Sequence, residues 1–366
     1  MNTTPLRYLS PTSLILLFGI LLCISGLSAQ ESNTPVFDLN PFEVSEEEDN
    51  GYQAKETMSG IGIATDMRDL PFTTNVITAD FIEDNLVGKF NEALDYSSSV
   101  RQTQRSEIVA RRTLFTIRGF TTRQILINGI QANEDIPTNL VQRIEVVKGP
   151  NALYGESDPG GLINVMLKQA ESEDHLQFTQ KIGDFGFLES SFDANFGELV
   201  DGNLNLRFVG SYEGYDGWRK SPGGYDSHDF GAIGKYSFNE NLELVFTGST
   251  FEFLPRDYTG GVPESFINRD NDFLQTGFNM WLEGFNLQYL FTYSSQKNRG
   301  YGRIFNTFSP AGVENTFFQY NSSSGKTLVH SLKGFKDFYT GDVRHRLTFG
   351  GRLFDDSNFG IQNRLR

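Results

Sequence analysis

Apolar and polar residues alternate along the second half of the chain, a pattern that predicts β-strands with two different faces. From Leu204 to Glu213, leucine, phenylalanine and tyrosine at even positions interleave with mostly polar residues at odd positions. The segments 242–247 and 285–289 repeat this alternation. It is typical of a transmembrane barrel, whose strands face lipid and a wet lumen, and also of a soluble sheet with one exposed face. Residues 169–366 have room for about ten membrane-spanning strands.

The stretch 52–168 has the pattern of a small α+β unit. The spacing predicts that Asp80 caps a helix whose apolar face continues, every 3.6 residues, into a second helical stretch. The apolar positions of this face are Phe81, Ile82, Leu86, Phe90, Ala93 and Leu94. Short apolar runs at 116–118, 125–128, 143–148 and 162–167 predict strands that together form one sheet. The connection 131–140 between two of these strands is short.

The first 29 residues predict a secretory signal. Arg7 precedes an apolar run from Leu14 to Ile24, and small residues follow up to Ala29. The run is shorter than the ~20 apolar residues that span a bilayer, which disfavours the alternative of a membrane anchor. Cleavage after Ala29 would remove Cys23, which is the one cysteine of the chain. Disulfides, zinc–thiolate sites and cysteine nucleophiles are therefore not expected.

Composition and charge narrow the function further. The formal net charge is -15, which argues against nucleic acid as a partner. Of the 33 phenylalanines, only eight precede residue 169, so the two halves differ in kind. An aromatic-rich half without a long apolar run suits membrane strands better than membrane helices.

Six segments, in a fixed order along residues 70–168, carry a resemblance to a known family. They are Leu70–Thr78, Phe90–Leu94, Thr116–Phe120, Ile125–Ile130, Val141–Gly155 and Asp158–Lys168. Together they resemble the plug domain of TonB-dependent outer-membrane receptors. The sequences Arg-Gly-Phe and Tyr-Gly-x-Ser-x-Pro-Gly-Gly within them are most similar to the siderophore-receptor branch.

The resemblance implies a membrane β-barrel preceded by a small α+β plug domain. Family barrels have ~22 antiparallel strands, of which about ten would lie in this chain. The expected organisation is a signal peptide (1–29), a flexible acidic segment (30–51), the plug (52–168) and the N-terminal part of the barrel (169–366) of an incomplete chain. The expected location is the bacterial cell outer membrane.

A partner site is implied in the acidic segment. There the family has a TonB box, a short strand that pairs with the periplasmic protein TonB, and its position here is that of Phe42, Glu43, Val44 and Ser45. Strand pairing through the backbone makes few demands on side chains. The four-residue apolar island is weak as a pattern, and its interpretation depends on the plug that follows.

Charged residues of the plug are the other candidate sites. In related receptors, residues at the positions of Arg118, Arg143 and Glu145 look like part of a lock between plug and barrel, and the alternative is a solvated strand face. The candidate ligand-binding residues are Arg111, Arg112, Gln124 and Asn133. The two arginines could face an anionic iron chelate or pair with barrel carboxylates.

The function implied is a receptor and transporter that binds a scarce solute, foremost a ferric siderophore, and imports it with energy transmitted through TonB. Alternatives are a transporter for cobalamin or a glycan, and a truncated, non-transporting remnant. The expected partners are TonB, outer-membrane lipid and the chelate, and the expected state is a monomeric barrel.

No enzyme, cofactor or metal site is expected. Tyr320 stands where a phosphate loop ending at Gly325-Lys326-Thr327 needs its first glycine. The four histidines lack metal-ligand spacing, and the region of Asp270 and Asp272 lacks the full calcium-loop pattern.

Overall fold

The computed structural model describes residues 42, 51–59, 62–88, 90–102, 115–122, 125–131, 136–150, 158–218, 224–255, 266–282, 285–309, 312–341 and 343–365. Several predicted features lie outside the described residues. They are the signal peptide, most of the acidic segment including Glu43, Val44 and Ser45, and the ligand candidates Arg111, Arg112, Gln124 and Asn133.

The described residues of the first half form three small sheets and two short α-helices. The strands are β1 (Glu56–Thr57), β2 (Thr65–Asp66), β3 (Thr73–Thr78), β4 (Val100–Gln102), β5 (Phe115–Ile117), β6 (Phe120–Thr122), β7 (Ile125–Ile127), β8 (Ile130–Gln131), β9 (Val141–Lys148) and β10 (Gly161–Leu167). The helices are α1 (Ala79–Asp84) and α2 (Phe90–Ala93). Strands β1 and β2 pair with each other, β4–β5–β6 form a three-stranded sheet, and the central sheet has the order β3-β9-β10-β7-β8.

The central sheet has two buried faces of different character. Alternate residues of β9 and β10, such as Ile144 and Ile163, pack into the main apolar core with both helices. The opposite face carries polar side chains among apolar ones, because Glu145 of β9 lies directly across from Asn164 of β10 and both are fully buried. A sheet buried on both sides explains the nearly continuous apolar runs that predicted these strands.

The helix prediction needs two corrections. Thr78, not Asp80, caps α1: its side chain accepts a hydrogen bond from the Phe81 amide at 3.3 Å, and Asp80 lies inside the first turn. The helix ends at Asp84, and Leu86 has a positive φ of 51° and is 68% exposed, so Leu86 is not on the buried face. The remaining predicted apolar positions are at least partly buried.

The strand prediction needs two corrections as well. Strand β5 belongs to the three-stranded sheet and not to the central one. Arg118 and Asn128, predicted as the last residues of their strands, lie in turns with φ of 51° and 48°. A left-handed residue breaks the extended backbone, so each strand ends one residue earlier.

The second half forms a nine-stranded antiparallel sheet in which each strand pairs with the next along the chain. Its strands are β11 (His175–Ile182), β12 (Leu188–Glu198), β13 (Leu204–Tyr215), β14 (Tyr225–Asn239), β15 (Leu242–Pro255), β16 (Phe266–Leu282), β17 (Phe285–Ser309), β18 (Gly312–Thr340) and β19 (Val343–Leu365). A helical turn, Leu199–Gly202, joins β12 to β13. Nine strands among the described residues agree with the prediction of about ten.

The two faces of this sheet have the polarity of a barrel wall. Buried polar residues on the inner face include Asp193, Asn195, Arg207, Asp229, Asn271, Gln275 and Asn279. Exposed apolar residues on the outer face include Leu176, Phe178, Phe192, Phe196, Phe230, Leu274 and Phe278. Soluble proteins have an apolar interior and a polar exterior, and this sheet has the reverse arrangement. The predicted fold class, part of a membrane β-barrel preceded by a plug domain, is confirmed.

In the part of the chain that the structure describes, no helix has both the length and the apolar character needed to cross a bilayer. Residues 338–345 belong to a compact unit distinct from the one formed by residues 39–337 and 346–366. Within these eight residues, the Phe338 ring stacks on the His345 imidazole, with centroids 5.0 Å apart.

Candidate functional site

The plug packs directly on the inner face of the barrel sheet. Val209, Ile233 and Phe273 of the sheet are part of the same apolar core as the plug residue Leu140. Gly231 allows this approach, because a Cβ atom there would lie 2.5 Å from Cδ2 of Leu140. The apolar part of the interface therefore depends on a close backbone contact as well as on side-chain burial.

Polar side chains of the plug also bond to the wall. Asn128 donates from Nδ2 to Oε1 of Gln275 at 3.0 Å, and Asn139 donates from Nδ2 to Oδ2 of Asp229 at 2.8 Å. Ser211 also donates a hydrogen bond to Asp229. Asn128 lies in the β7–β8 turn and Asn139 in a short 3-10 helix, Thr138–Leu140, so these contacts fix the position of two connecting segments and not only the position of the sheet.

The link between plug and barrel, residues 168–174, is held by a buried ionic cluster. Asp193 accepts hydrogen bonds from Nζ of Lys168 at 2.7 Å and from Nε and Nη2 of Arg207, both at 2.8 Å. Arg207 also donates from Nη1 to the Gln169 carbonyl at 3.0 Å and to Glu171 at 3.1 Å. Asp193 and Arg207 are buried, and each charge is satisfied there by several hydrogen bonds, whereas the Glu171 side chain at the edge of the cluster is 41% exposed.

Two of the predicted lock residues hold the segment 56–59 against the plug sheet. Glu145 accepts hydrogen bonds from the Met58 amide at 3.1 Å, from the Ser59 amide at 2.8 Å and from the Ser59 hydroxyl. Arg143 donates from Nη1 to the Glu56 carbonyl at 3.2 Å. The alternative of a solvated strand face is wrong for Arg143 and Glu145, since both are fully buried. Their role as a lock between plug and barrel stays a prediction.

Arg118, the third predicted lock residue, is placed differently. It is exposed in the turn after β5, and no described hydrogen bond joins it to the segment that Arg143 and Glu145 bind. Burial, and to a lesser extent the positive charge of Arg118, lowers the pKa of Lys148. Nζ of Lys148 donates to Oγ of Ser98 at 2.8 Å. The three predicted residues are therefore not brought into one cluster.

Phe42, the one described residue of the predicted TonB box, is buried against the barrel wall. It is 4% exposed and packs in one cluster with Ile63 of the plug and Phe335 of β18. Its ring meets that of Phe335 edge to face, with centroids 5.9 Å apart. Lys333 lies over the Phe42 ring at 5.8 Å and donates to the Gly62 carbonyl at 3.0 Å. We call Phe42, Ile63, Lys333 and Phe335 the docking cluster.

A small cavity of about 50 Å³ lies between the docking cluster and the plug sheet. Its lining includes Asn128, Asn164, Gln275, Asn279 and Gln288. This volume suits a few water molecules bound to amide side chains, and it is too small for a metal chelate. Among the described residues, no three acidic, histidine or cysteine side chains are grouped so that they could hold a metal ion.

Ser59, Asn128 and Asn164 all form hydrogen bonds within this site, although none of them was among the predicted site residues. Asn164 carried a usable signal, because a polar residue inside the apolar run Gly161–Leu167 must find a buried partner. Asn128-Gly129 is a dipeptide typical of tight hairpin turns, and both residues have positive φ here.

The comparisons with known proteins agree with this architecture. Residues 66–162 match the TonB-dependent Receptor Plug Domain family. A metal-pseudopaline receptor of Pseudomonas aeruginosa is 24% identical over 328 residues, which cover 82% of this chain and 46% of the relative. A vitamin B12 transporter of Vibrio vulnificus is 28% identical over 206 residues, or 52% of this chain and 34% of the relative. The chain thus spans less than half the length of these curated relatives.

Among solved structures, the pyoverdine outer membrane receptor of P. aeruginosa PAO1 bound to pyoverdine superimposes with a TM-score of 0.80. The match covers 90% of this chain and 52% of that chain, at 14% identity. At this identity the likeness shows the fold alone. By name, these matched proteins are receptors and transporters rather than enzymes.

Proposed function

We propose that this chain, which carries a plug domain of the TonB-dependent receptor type, acts in the bacterial outer membrane to bind a ferric siderophore and admit it to the periplasm. The observation that carries the proposal is the plug packed on the polar inner face of a sheet whose outer face is apolar. A barrel wide enough to enclose a plug would otherwise leave an open channel, so the plug makes passage conditional on a ligand. The predicted signal peptide at 1–29 supports export.

A ferric or other metal chelate is the ligand class we propose first, because two of the similar proteins are named for pseudopaline and pyoverdine. Cobalamin is the second candidate, because the vitamin B12 transporter also matches. Arg111, Arg112, Gln124 and Asn133 remain the proposed ligand-binding residues. An anionic chelate would be attracted to the two arginines in an otherwise acidic protein.

Binding by the purified receptor, expressed from the intact gene, tests the ligand class. The panel is a ferric hydroxamate, a ferric catecholate, a ferric pyoverdine, cyanocobalamin and an oligosaccharide. We expect saturable binding of one ferric chelate. Binding of cobalamin or the oligosaccharide alone would move the proposal to the alternative ligand, and binding of none would refute the receptor function.

Energy coupling is proposed to run through residues 42–45, which would pair as a strand with TonB. Because Phe42 is buried in the docking cluster, the segment must leave that cluster before its backbone can pair with another protein. The apparent affinity for TonB is then the intrinsic affinity multiplied by the fraction of molecules in which the segment is undocked. The docking cluster would thus keep the segment away from TonB in the resting receptor.

Replacing Phe335 with alanine should raise the affinity of the receptor for the purified periplasmic domain of TonB by roughly tenfold in the absence of ligand. The change removes the aromatic partner of Phe42 and leaves residues 42–45 intact, and such ring pairs contribute about 0.5–1.5 kcal/mol beyond burial. Isothermal titration of the detergent-solubilised receptor measures the affinity. Phe359→Ala is the matched control, because Phe359 is 64% exposed on β19. Equal affinities for the two variants would show that docking does not limit access to TonB.

A further inference from the structure

Asn164 lies at the centre of the plug and uses both ends of its side-chain amide. It is fully buried on β10. Its Nδ2 donates to Oγ of Ser59 at 3.0 Å, and its Oδ1 accepts from the Gly129 amide at 2.8 Å. Ser59 and Gly129 are far apart in the chain and have no hydrogen bond to each other among those the structure describes. Asn164 is therefore the side chain that joins them.

On one side, this bond reaches the segment that follows the predicted TonB box. The Ser59 hydroxyl that accepts from Asn164 also donates to Glu145, and the Ser59 amide donates to the same carboxylate. The hydroxyl can therefore orient the Asn164 amide only while Ser59 stays in place. Any displacement of residues 56–59 acts directly on the orientation of Asn164.

On the other side, the bond reaches the barrel wall through the β7–β8 turn. Gly129 follows Asn128, whose Oδ1 accepts from the Leu167 amide at 2.9 Å while its Nδ2 donates to Gln275. Gln275 in turn donates from Nε2 to Oγ1 of Thr292 at 3.0 Å. A row of hydrogen bonds, joined at one point by the peptide link between Asn128 and Gly129, thus runs from Ser59 to strands β16 and β17.

Space for movement lies beside this row. Met58, Asn128, Gly129, Asn164 and Gln275 all line the cavity described above. A polar cavity with room for a few water molecules can supply replacement hydrogen bonds when the amide groups turn. The row can therefore change its arrangement without leaving buried polar groups unpaired.

We propose that Asn164 is a positioning residue that couples the N-terminal segment at Ser59 to the Asn128–Gly129 turn and, through Asn128 and Gln275, to the barrel wall. The inference rests on the proposed function for its purpose, since a transporter must link a periplasmic pull to the plug interior. The coupling itself is a property of the folded chain. It acts in both directions, as any coupling free energy between two sites must.

Hydrogen exchange of the full chain in detergent, read by mass spectrometry at residues 125–131, tests the coupling without ligand or TonB. Ser59→Ala should raise exchange in this peptide roughly fivefold, the change expected for loss of one hydrogen bond, although the described hydrogen bonds of Ser59 reach Asn164 and not the turn itself. The matched control is Ser97→Ala, because Oγ of Ser97 is also buried but has no hydrogen-bond partner among the described residues. Exchange at 143–148 should stay within twofold in both variants, which separates coupling from general loosening.

The reverse direction provides an independent measurement. Gln275→Leu should raise exchange at residues 56–59, although Gln275 lies three side chains away along the row. The proposal would be overturned if Ser59→Ala and Ser97→Ala gave the same exchange rate at residues 125–131. It would also be overturned if Gln275→Leu left the exchange rate at residues 56–59 unchanged. Either failure would leave the proposed receptor function untouched, because neither measurement involves transport.

Discussion

Replacing Glu145 with alanine should release residues 56–59 from the plug and raise the exchange rates of the Met58 and Ser59 amides at least about a hundredfold. The change removes the acceptor of three hydrogen bonds, two from backbone amides and one from the Ser59 hydroxyl, while the Ser59 amide keeps its second acceptor, Oγ1 of Thr57 at 3.1 Å. A hydrogen bond to a charged group contributes about 1.5–3 kcal/mol, and the bond from the Ser59 amide is partly replaced by Thr57, so docking of the segment should weaken by roughly 3–5 kcal/mol. Detaching the segment into water then costs less free energy than keeping its amides and hydroxyl buried where the carboxylate has been removed.

Hydrogen exchange and limited proteolysis of residues 51–64 measure this release. Glu145→Gln should have a smaller effect, because its amide oxygen can still accept one of the three bonds. Glu92→Ala is the control, since Glu92 is an exposed glutamate of the same plug. Retention of wild-type protection at Met58 and Ser59 in Glu145→Ala would show that the carboxylate does not hold the segment.

The second large effect is expected at the link between plug and barrel. Asp193→Ala should lower the free energy of unfolding by roughly 3–5 kcal/mol, because it removes the carboxylate shared by Lys168 and Arg207 and leaves buried positive charge poorly compensated. Residues 168–174 should lose protection first, since Arg207 positions the Gln169 carbonyl and Glu171. Urea unfolding of the refolded protein in detergent measures the loss.

Two variants qualify that result. Asp193→Asn keeps one acceptor for Arg207 and should be destabilised by less than half as much. Asp184→Ala, in the exposed turn between β11 and β12, should leave the unfolding free energy within about 0.5 kcal/mol. A destabilisation by Asp193→Ala no greater than that of Asp184→Ala would mean that the ionic cluster does not hold the link.

Strand periodicity was the most reliable guide from sequence to fold. Alternation around Leu204 and Leu242 predicted a sheet with faces in two environments, and the inverted polarity of those faces is what the structure shows. The helix cap was wrong because Thr78 and Asp80 are both good capping residues two positions apart. Periodicity does not decide between them, whereas the backbone geometry at Thr78 does.

The candidate site was predictable only in its residue types. Charged and polar residues inside apolar strands, such as Glu145 and Asn164, must find partners when buried, and this requirement can be derived from sequence. The identity of the partners could not be derived from sequence. The bonds of Ser59 to Glu145 and Asn164 join residues 86 and 105 positions apart, and the bond from Asn128 to Gln275 joins residues 147 positions apart. Such pairs are set by the tertiary packing of the plug against the wall.

Uptake of an isotopically labelled ferric siderophore by cells carrying the intact gene shows whether this receptor imports its ligand with energy from TonB. Wild-type receptor should bind the chelate at the cell surface and accumulate the label inside, whereas a receptor lacking residues 42–45 should bind equally and accumulate none. The same loss of uptake should follow when TonB is absent. Accumulation that persists without residues 42–45 and without TonB, or wild-type cells that bind the chelate and never import it, would contradict the account.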